Sequence, residues 1–210
     1  MTSYTRIQET RELMTEIGRL MFERQLTDAA GGNLGVRLDD FILMTPRYAG
    51  SRWRWRLHPR QILVFDLEGN LLDGEGEVSR EARVHFTLLR EFYPEGAAVV
   101  HAHPRNILVF CAHRVPLPSM LEATDVFGTV PLIPGAPSHT QALADQIAQA
   151  LEARREILRR YAAAVLAPRH GIFILAKDLD TGYEALERLE SSAYCALMGP
   201  VVHQRLSPDG

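Results

Sequence analysis

Apolar side chains at near-helical spacing mark the start of the chain. Within residues 3 to 25 they predict an amphipathic helix, through Ile7, Leu13, Met14, Ile17, Leu20 and Met21. The stretch DAAGGNLGVRL then indicates a Gly-rich turn and a short strand, and DDFILMTP has the pattern of a return strand that Pro46 ends. After an Arg- and Trp-rich segment, the apolar run QILVF predicts another strand before a Glu-Gly-Asn turn.

The middle of the chain alternates between helical and strand patterns. Residues 79 to 93 predict a helix with Ser79 as its N-cap and with Val84 and Leu88 on its core-facing side. The run GAAVVHAH is too apolar for an exposed strand, which indicates a buried one. Pro104 then opens a helix that we expect over residues 104 to 113.

The last part of the chain predicts one short strand, a long helix, a strand pair and a closing helix. The segment TVPLIP predicts the short strand, and residues 138 to 160 predict the helix. The runs YAAAVLAP and GIFILA predict two strands, which PRHG separates. Residues 178 to 198 predict the closing amphipathic helix. Because no regular βαβ alternation appears, we expect an α/β fold with a central, largely antiparallel or mixed sheet covered by helices. The 210 residues show no linker or repeat, which fits a single domain over 1–210.

Composition mainly excludes some classes of function. Hydrophobic residues make up 46% of the chain, charged residues 23%, and the net charge is −3, so neither a nucleic-acid nor a membrane partner is predicted. The N-terminal stretch is polar and no run approaches about 18 apolar residues, so we expect a cytoplasmic protein. Cys111 and Cys195 stand far apart in apolar helical contexts, which favours two buried, reduced thiols over a disulfide framework or a Cys-rich zinc module.

Two histidines stand one residue apart where the apolar run VVHAHP ends. On a regular strand, the side chains of His101 and His103 point to the same face. Alone, the pair fits either one edge of a metal site or two polar residues where a strand leaves the core. His170 lies at the break PRHG, where Gly171 permits a turn or a close approach, and alone it fits an exposed loop. Three histidines at the ends of core elements, however, match a zinc shell with one open position.

Glu81 supplies a carboxylate near the start of the helix that precedes the two histidines. The helix dipole alone accounts for an acidic residue at that place. If Glu81 lies beside a metal, it becomes a candidate general acid and base. His85, one helical turn further on, is expected to pack or to support the site rather than to bind the metal.

Short, donor-rich turns form a second group of candidates. The segment GGNLG, residues 31 to 35, and the hydroxyl of Thr45 can surround an oxyanion, although simple turns are the alternative explanation. Neither a P-loop motif nor a strand-linked GxGxxG occurs in the chain. Nucleotide binding is therefore not predicted.

Taken in order, these motifs resemble the class II aldolase/adducin family, which includes zinc-dependent fuculose-phosphate and rhamnulose-phosphate aldolases and ribulose-phosphate 4-epimerase. The family order is Gly-Asn-x-Ser, Thr-Pro-x-Gly, Ser-Ser-Glu before a helix, His-x-His, and His-Gly near the C-terminus. The corresponding segments here are Gly32-Asn33-Leu34-Gly35, Thr45-Pro46, Ser79-Arg80-Glu81, His101-Ala102-His103 and His170-Gly171. The resemblance extends from about residue 10 to residue 198, which is nearly the whole chain.

The resemblance implies a class II aldolase-like fold, with a central antiparallel sheet, and a homotetramer with active sites at subunit interfaces. It implies three zinc ligands, a catalytic acid and base, and a pocket for the phosphate of a small-molecule substrate. The zinc ligands would be His101, His103 and His170, and the acid and base would be Glu81. The phosphate pocket would include Asn33, Thr45 and Ser79. A three-histidine site also accepts Mn²⁺, Co²⁺ or Fe²⁺, so the metal itself is not specified.

Three departures from the family pattern concern the substrate. Arg80 replaces the second Ser of Ser-Ser-Glu, Gly35 stands where Ser is usual, and TPRYAG is longer than Thr-Pro-Ser-Gly. Several arginines crowd that loop, within residues 47 to 60: Arg47, Arg52, Arg54 and Arg56. Because arginine binds carboxylates and phosphates through paired hydrogen bonds, we expect Arg80 to contact substrate. Arg52, Arg54 and Arg56 are expected instead to coat a surface or an interface, with Trp53 and Trp55 packed beside them.

The resemblance implies retro-aldol cleavage of a ketose 1-phosphate to dihydroxyacetone phosphate and an aldehyde, through a metal-stabilised enediolate to which Glu81 gives a proton. A decarboxylase of a hydroxy- or keto-carboxylate is one alternative, because the arginines suit a carboxylate. A sugar-phosphate 4-epimerase is another, since Asp125 lies near where that enzyme carries an acid, although the Glu81 position is typically Asp there. A non-catalytic adducin-like scaffold is the third, and the three histidines together with Glu81 argue against it.

Overall fold

The computed structural model describes residues 2–206, and its elements follow most of the predicted order. The helices are α1 (Ser3–Glu23), α2 (Ala82–Glu91), α3 (Arg105–His113), α4 (Gln141–Glu152), α5 (Arg155–Arg160) and α6 (Leu179–Leu206). The strands are β1 (Asn33–Leu38), β2 (Phe41–Met44), β3 (Leu63–Asp66), β4 (Leu71–Asp73), β5 (Ala98–Ala102), β6 (Ala162–Ala167) and β7 (Gly171–Ala176). Two short 3-10 helices cover Pro59–Gln61 and Glu122–Phe127.

The seven strands join one sheet in the order β4-β3-β2-β1-β5-β7-β6, and each neighbouring pair is antiparallel. This confirms the predicted α/β fold with a central, mostly antiparallel sheet. Strands β5, β6 and β7 are buried along their whole length, which explains why their sequences are apolar without alternation. Helices α1, α3 and α6 cover one face of the sheet, and α2 and α4 cover the other.

The single helix predicted over residues 138 to 160 is wrong, because α4 and α5 are separate helices with a break at Ala153 and Arg154. Arg154 leaves helical geometry, and its guanidinium donates hydrogen bonds to the carbonyls of Phe127 and Thr129. The chain turns at that point and buries Leu158 against the core. Since apolar residues keep helical spacing across the break, periodicity alone does not reveal it.

The strand predicted at TVPLIP is also wrong. This segment makes only isolated bridges, from Val130 to Leu117 and from Leu132 to Leu166. Pro131, between the two bridges, has no amide hydrogen to continue a ladder. The segment is nevertheless apolar for a reason, since Val130 is fully buried in the core.

Three smaller expectations change as well. Helix α2 begins at Ala82, and Ser79 accepts a hydrogen bond from the amide of Glu81 in the turn before it, so Ser79 is not the N-cap. Cys111 is buried as expected, but Cys195 is partly exposed, because the C-terminal part of α6 is only partly covered. Helix α6 continues past residue 198 to Leu206. Among residues 2–206, no helix is long and apolar enough to cross a membrane.

Strand pairing brings the candidate residues to one edge of the sheet. Asn33, the first residue of β1, pairs with His101 near the end of β5, and His101 pairs with Phe173 in β7. The turn between β6 and β7 carries His170 to the same edge, and Glu81 lies there as the N-cap of α2. Residues distant in sequence therefore meet because antiparallel neighbours place the end of one strand beside the start of the next.

Helix α1 packs tightly against the loop that precedes β3. Trp55 in that loop is fully buried, and a Cβ atom added to Gly18 would lie 2.7 Å from its ring. We expect Gly18→Ala to lower the free energy of unfolding by about 1–2 kcal/mol, because overpacking outweighs the gain in helix propensity. Denaturant unfolding measures this change. The control is Gly199→Ala in α6, which meets nothing within 4 Å and should be neutral or stabilising. A Gly18→Ala protein as stable as wild type would contradict the described packing.

Candidate active site

Three histidine side chains converge at the edge of the sheet. His101 lies in β5, His103 follows that strand, and His170 lies in the turn before β7. One ligand atom from each lies within 4.8 Å of the other two. The structure thus brings together the three histidines that the sequence singled out.

His101 is held in one orientation by its surroundings. Its Nδ1–H donates a 3.0 Å hydrogen bond to the carbonyl of Ile172, and its ring stacks on Phe173 with 4.1 Å between centroids. Burial holds the pKa of His101 well below its ordinary value, so the ring is neutral. A neutral imidazole with Nδ1 bonded to a carbonyl presents Nε2 as a metal ligand.

His103 is packed against two glycines that leave room for its ring. A Cβ atom on Gly31 would lie 2.0 Å from Cε1 of His103, and one on Gly171 would lie 2.8 Å from Cδ2 of the same ring. Nδ1 of His103 lies 3.4 Å from the carboxylate of Asp28. Nε2 is buried and has no hydrogen-bond partner among the described residues. A buried ring nitrogen without a partner is costly unless a ligand completes it.

This donor set fits a divalent metal ion. Three neutral imidazoles can occupy three corners of a tetrahedron and leave one position for a substrate oxygen. The partnerless Nε2 of His103 and the fixed Nε2 of His101 are the atoms such an ion would satisfy. Imidazole ligands suit several divalent metals, so the residues specify the site but not the ion.

Glu81 lies beside the histidines and has a shifted proton affinity. The residue is only 4% exposed, and both carboxyl oxygens lack a hydrogen-bond partner among the described residues. Oε1 lies 3.6 Å from Nε2 of His170. Burial raises the pKa of Glu81 to about 7, with Arg80 pulling in the opposite direction. A carboxyl group with this pKa can gain or lose a proton near neutral pH.

His139 also belongs to the site, and the sequence reasoning missed it. Its Nδ1 lies 2.8 Å from Oε1 of Glu81, although the two groups are not aligned as a hydrogen bond. The backbone of His139 has φ of +70°, a strained conformation for a residue with a side chain. The residue stands in an aperiodic loop before α4 and in none of the matched motifs. Only the folding of that loop over α2 places it next to Glu81.

A cavity of about 260 Å³ opens above the histidines and contains most of the predicted site residues. Its lining combines the glycine-rich backbone of residues 29 to 32 with charged side chains. Its polar lining includes Asn33, Arg47, Ser51, Ser79, Arg80, Glu81, His101, His103, Ser138, His139 and His170. The combination of buried acid, imidazoles and arginines suits a small anionic ligand.

Two predicted site residues do not line this cavity. Thr45 is fully buried, and its hydroxyl accepts a hydrogen bond from the amide of Leu34 at 3.0 Å. Asp125 is exposed and accepts a hydrogen bond from Ser119 at 2.9 Å. Within one chain, Thr45 therefore supports the start of β1, and Asp125 lies away from Glu81.

The four arginines singled out in the loop over residues 47 to 60 lie in three different surroundings. Arg47 lines the cavity beside Arg80. Arg52 is exposed, pairs with Glu77 and stacks on a tyrosine ring, as a surface residue does. Arg54 and Arg56 line a separate, open cavity. The two tryptophans of the loop also differ, because Trp55 is fully buried whereas Trp53 is only partly buried.

Comparison with known proteins gives consistent matches along the chain. The family described as Class II Aldolase and Adducin N-terminal domain matches residues 12–197. A 3-oxo-tetronate 4-phosphate decarboxylase of Haemophilus influenzae is 31% identical over 194 residues, covering 87% of this chain and 84% of that protein. An L-fuculose phosphate aldolase of Methanococcus maripaludis is 25% identical over 179 residues, covering 85% of this chain and 90% of that protein. The solved structure of l-fuculose-1-phosphate aldolase from Thermus thermophilus superposes with a TM-score of 0.76, at 27% identity, covering 96% of this chain and 98% of that one.

Proposed function

This chain belongs to the class II aldolase and adducin family and is an aldolase-type lyase, and on this basis we propose that it breaks a carbon–carbon bond beside the ketone of a phosphorylated substrate. The leading form of the proposal is retro-aldol cleavage of a ketose 1-phosphate to dihydroxyacetone phosphate and an aldehyde. The observation that carries it is Glu81, a buried carboxyl group without a hydrogen-bond partner 3.6 Å from His170. We assign the metal to His101, His103 and His170.

The residues of the cavity divide the work of this reaction. A divalent ion held by the three histidines would act as a Lewis acid toward the ketone oxygen. Arg80, Ser79 and Asn33 would bind the phosphate by donating hydrogen bonds from the cavity wall. Glu81 would give its proton to the carbon that loses its bond, and would take the same proton back in the condensation direction.

Retro-aldol cleavage also requires a base for the hydroxyl group that becomes the aldehyde, and we assign this role to His139. Its ring lines the cavity and is neutral, because burial lowers its pKa. The hydroxyl proton would pass to His139 while Glu81 protonates the freed carbon. Nδ1 of His139 lies 2.8 Å from Oε1 of Glu81, so a rotation of the His139 ring that aligns the two groups would allow a proton transfer that restores both for the next turnover.

Decarboxylation is the second candidate, favoured by the 31% identical decarboxylase and by Arg47 and Arg80 in the cavity. Loss of CO₂ from a 3-oxo-tetronate 4-phosphate also leaves dihydroxyacetone phosphate. The electron pair of the broken bond would move toward the ketone oxygen, and Glu81 would protonate the freed carbon. This route requires the proton donor but no base, because the departing carboxylate is already deprotonated.

A product screen tests the proposal. Metal-loaded protein would be incubated with ketose 1-phosphates and with 3-oxo-tetronate 4-phosphate, and dihydroxyacetone phosphate would be measured through its enzymatic reduction. We expect it to form together with an aldehyde from a ketose 1-phosphate. If dihydroxyacetone phosphate forms, together with CO₂, only from 3-oxo-tetronate 4-phosphate, the protein is a decarboxylase. Protein that is fully metal-loaded and releases no dihydroxyacetone phosphate from any of these substrates would contradict the proposal.

Replacement of His139 separates the two reactions. Asn tolerates the left-handed backbone that His139 adopts but cannot accept a proton, so His139→Asn should slow retro-aldol cleavage about 10²- to 10⁴-fold. Decarboxylation should change little. Steady-state rates on both substrates provide the measurement, with the exposed His113→Asn as the matched control. Undiminished retro-aldol cleavage by His139→Asn would reject its role as the base.

Four further expectations belong to the proposal. We expect a homotetramer with active sites at subunit interfaces, which light scattering would detect as four chain masses in solution. In such an assembly Asp125, exposed in the single chain, could serve a neighbouring site as a second acid. A cytoplasmic location and a single domain over 1–210 also stay predictions.

A further inference from the structure

His85 lies behind the cavity lining and forms a buried pair with Asn33, which lines the cavity. It lies on α2, is 0% exposed, and its Nε2 is hydrogen-bonded to Oδ1 of Asn33. Burial lowers the pKa of His85 to about 3, so the ring is neutral and carries one proton. Which of its two nitrogens holds that proton decides how Asn33 is oriented.

The contact of Nε2 with Oδ1 of Asn33 assigns the proton to Nε2, because a carboxamide oxygen only accepts hydrogen bonds. Its Nδ1 lies against Gly35, where an added Cβ atom would be only 2.3 Å away, and has no hydrogen-bond partner among the described residues. A proton on Nδ1 would place two acceptors, Nε2 of His85 and Oδ1 of Asn33, against each other and would leave Nδ1–H as a buried donor without an acceptor. A proton on Nε2 instead makes a hydrogen bond to Oδ1 of Asn33. This contact also explains why Gly35 stands where the family has Ser, since a side chain there would displace the ring.

The same bond orients the amide group of Asn33. Oδ1 is turned toward His85, which turns Nδ2 away from it. Among the described residues Nδ2 makes no hydrogen bond, and Asn33 lines the cavity next to its strand partner His101. Nδ2 is therefore an available donor held at the edge of the histidine cluster.

We propose that His85 is a positioning residue that holds Asn33 with its amide N–H groups directed at the anionic group of the substrate. The inference rests on the proposed function, because it requires a phosphorylated ligand in the cavity. Without His85 the amide can rotate and present Oδ1, which repels an anion. Loss of one hydrogen bond to a charged group corresponds to about 10- to 100-fold weaker binding.

A double-mutant cycle on the full-length, zinc-loaded chain tests the proposal. His85→Met keeps a side chain of similar reach but removes the donor, His85→Gln keeps an N–H donor near the position of Nε2, and Asn33→Ala removes the amide. The measured quantity is the dissociation constant of dihydroxyacetone phosphate by calorimetry. Circular dichroism and zinc analysis verify that each variant is folded and loaded.

The proposal predicts a specific pattern of affinities. His85→Met should weaken binding about 10-fold or more, His85→Gln should stay close to wild type, and His85→Met should add nothing in the Asn33→Ala background. If His85 has only a structural role, His85→Met should weaken binding by the same factor in the wild-type and in the Asn33→Ala background. Equal losses, or unchanged affinity in folded His85→Met, would overturn the inference.

The tautomer of His85 can be measured without substrate, which gives a second test. Nitrogen NMR of labelled protein should show the proton on Nε2, and a proton on Nδ1 would overturn the inference whatever the ligand. Failure of the proposed function has a different signature. In that case wild type neither binds dihydroxyacetone phosphate nor releases it in the product screen, and the inference is rejected with it. If wild type binds dihydroxyacetone phosphate but the effects of His85→Met and Asn33→Ala on affinity are additive, only the role of His85 is rejected.

Discussion

Glu81→Gln is expected to slow carbon–carbon bond cleavage about 10²- to 10⁴-fold while the metal content is unchanged. Glutamine has nearly the same shape as glutamate but cannot give a proton to the carbon that loses its bond. Neither carboxyl oxygen of Glu81 has a well-aligned hydrogen-bond partner among the described residues, and the amide oxygen of glutamine can still face the backbone of His139 as the carboxylate does, so the substitution should leave the fold intact. Its effect should therefore appear in kcat rather than in the free energy of unfolding.

The control for this prediction is Glu91→Gln at the other end of α2. Glu91 is exposed, so the same chemical change there should leave the rate and the stability as they are. Kinetics, metal analysis and denaturant unfolding would be measured on all three proteins. A Glu81→Gln protein that cleaves substrate at the wild-type rate would remove Glu81 from its role.

Loss of one histidine of the cluster is expected to abolish both metal binding and activity. His101→Ala removes a fixed ligand, and His170→Ala removes a more exposed one whose loss disturbs the core less. Ligand binding to the folded state stabilises it, by about 2.7 kcal/mol at a ligand concentration of 100 times the dissociation constant. Added zinc should thus raise the melting temperature of metal-free wild type but not of either variant.

Melting curves with and without zinc, together with metal analysis, measure this second effect. His113→Ala is the control, because His113 is exposed at the end of α3, and it should respond to zinc as wild type does. Variants that keep one bound zinc and full activity would show that the metal is held elsewhere.

The sequence predicted those features of the fold that depend on local periodicity. The uninterrupted apolar runs of β5, β6 and β7 identified the buried centre of the sheet, because only strands covered on both faces tolerate them. The spacing of His101 and His103 predicted a shared face. That His170 joins them depends on the antiparallel pairing of β5 with β7, which local pattern does not specify.

Features that depend on tertiary contacts were missed. His139 reaches Glu81 only because the loop before α4 folds over α2, and no motif marks it. The break at Arg154 depends on carbonyl groups more than 20 residues away in the chain. Thr45 was expected in the phosphate pocket, whereas its hydroxyl is bonded to the backbone of Leu34; its place in the pocket stays a prediction.

The departures from the family pattern have different physical explanations. Gly35 makes room for the ring of His85 and so follows from packing. Arg80 lines the cavity and lowers the pKa of the neighbouring Glu81, opposing the effect of burial. Under the proposed function, Arg80 is the substituted position that would contact the anionic group of the substrate, be it a phosphate or a carboxylate.

Hydrogen exchange on dihydroxyacetone phosphate reports on the proposed proton transfer itself, because both candidate reactions would pass a proton between Glu81 and the hydroxymethyl carbon of this product. The zinc-loaded protein would be incubated with dihydroxyacetone phosphate in D₂O and followed by proton NMR. We expect one of the two hydrogens to exchange with solvent. The exchange should stop when zinc is removed by a chelator, resume when zinc is restored, and be absent in Glu81→Gln. A zinc-loaded wild type that binds dihydroxyacetone phosphate and exchanges neither hydrogen would contradict the account.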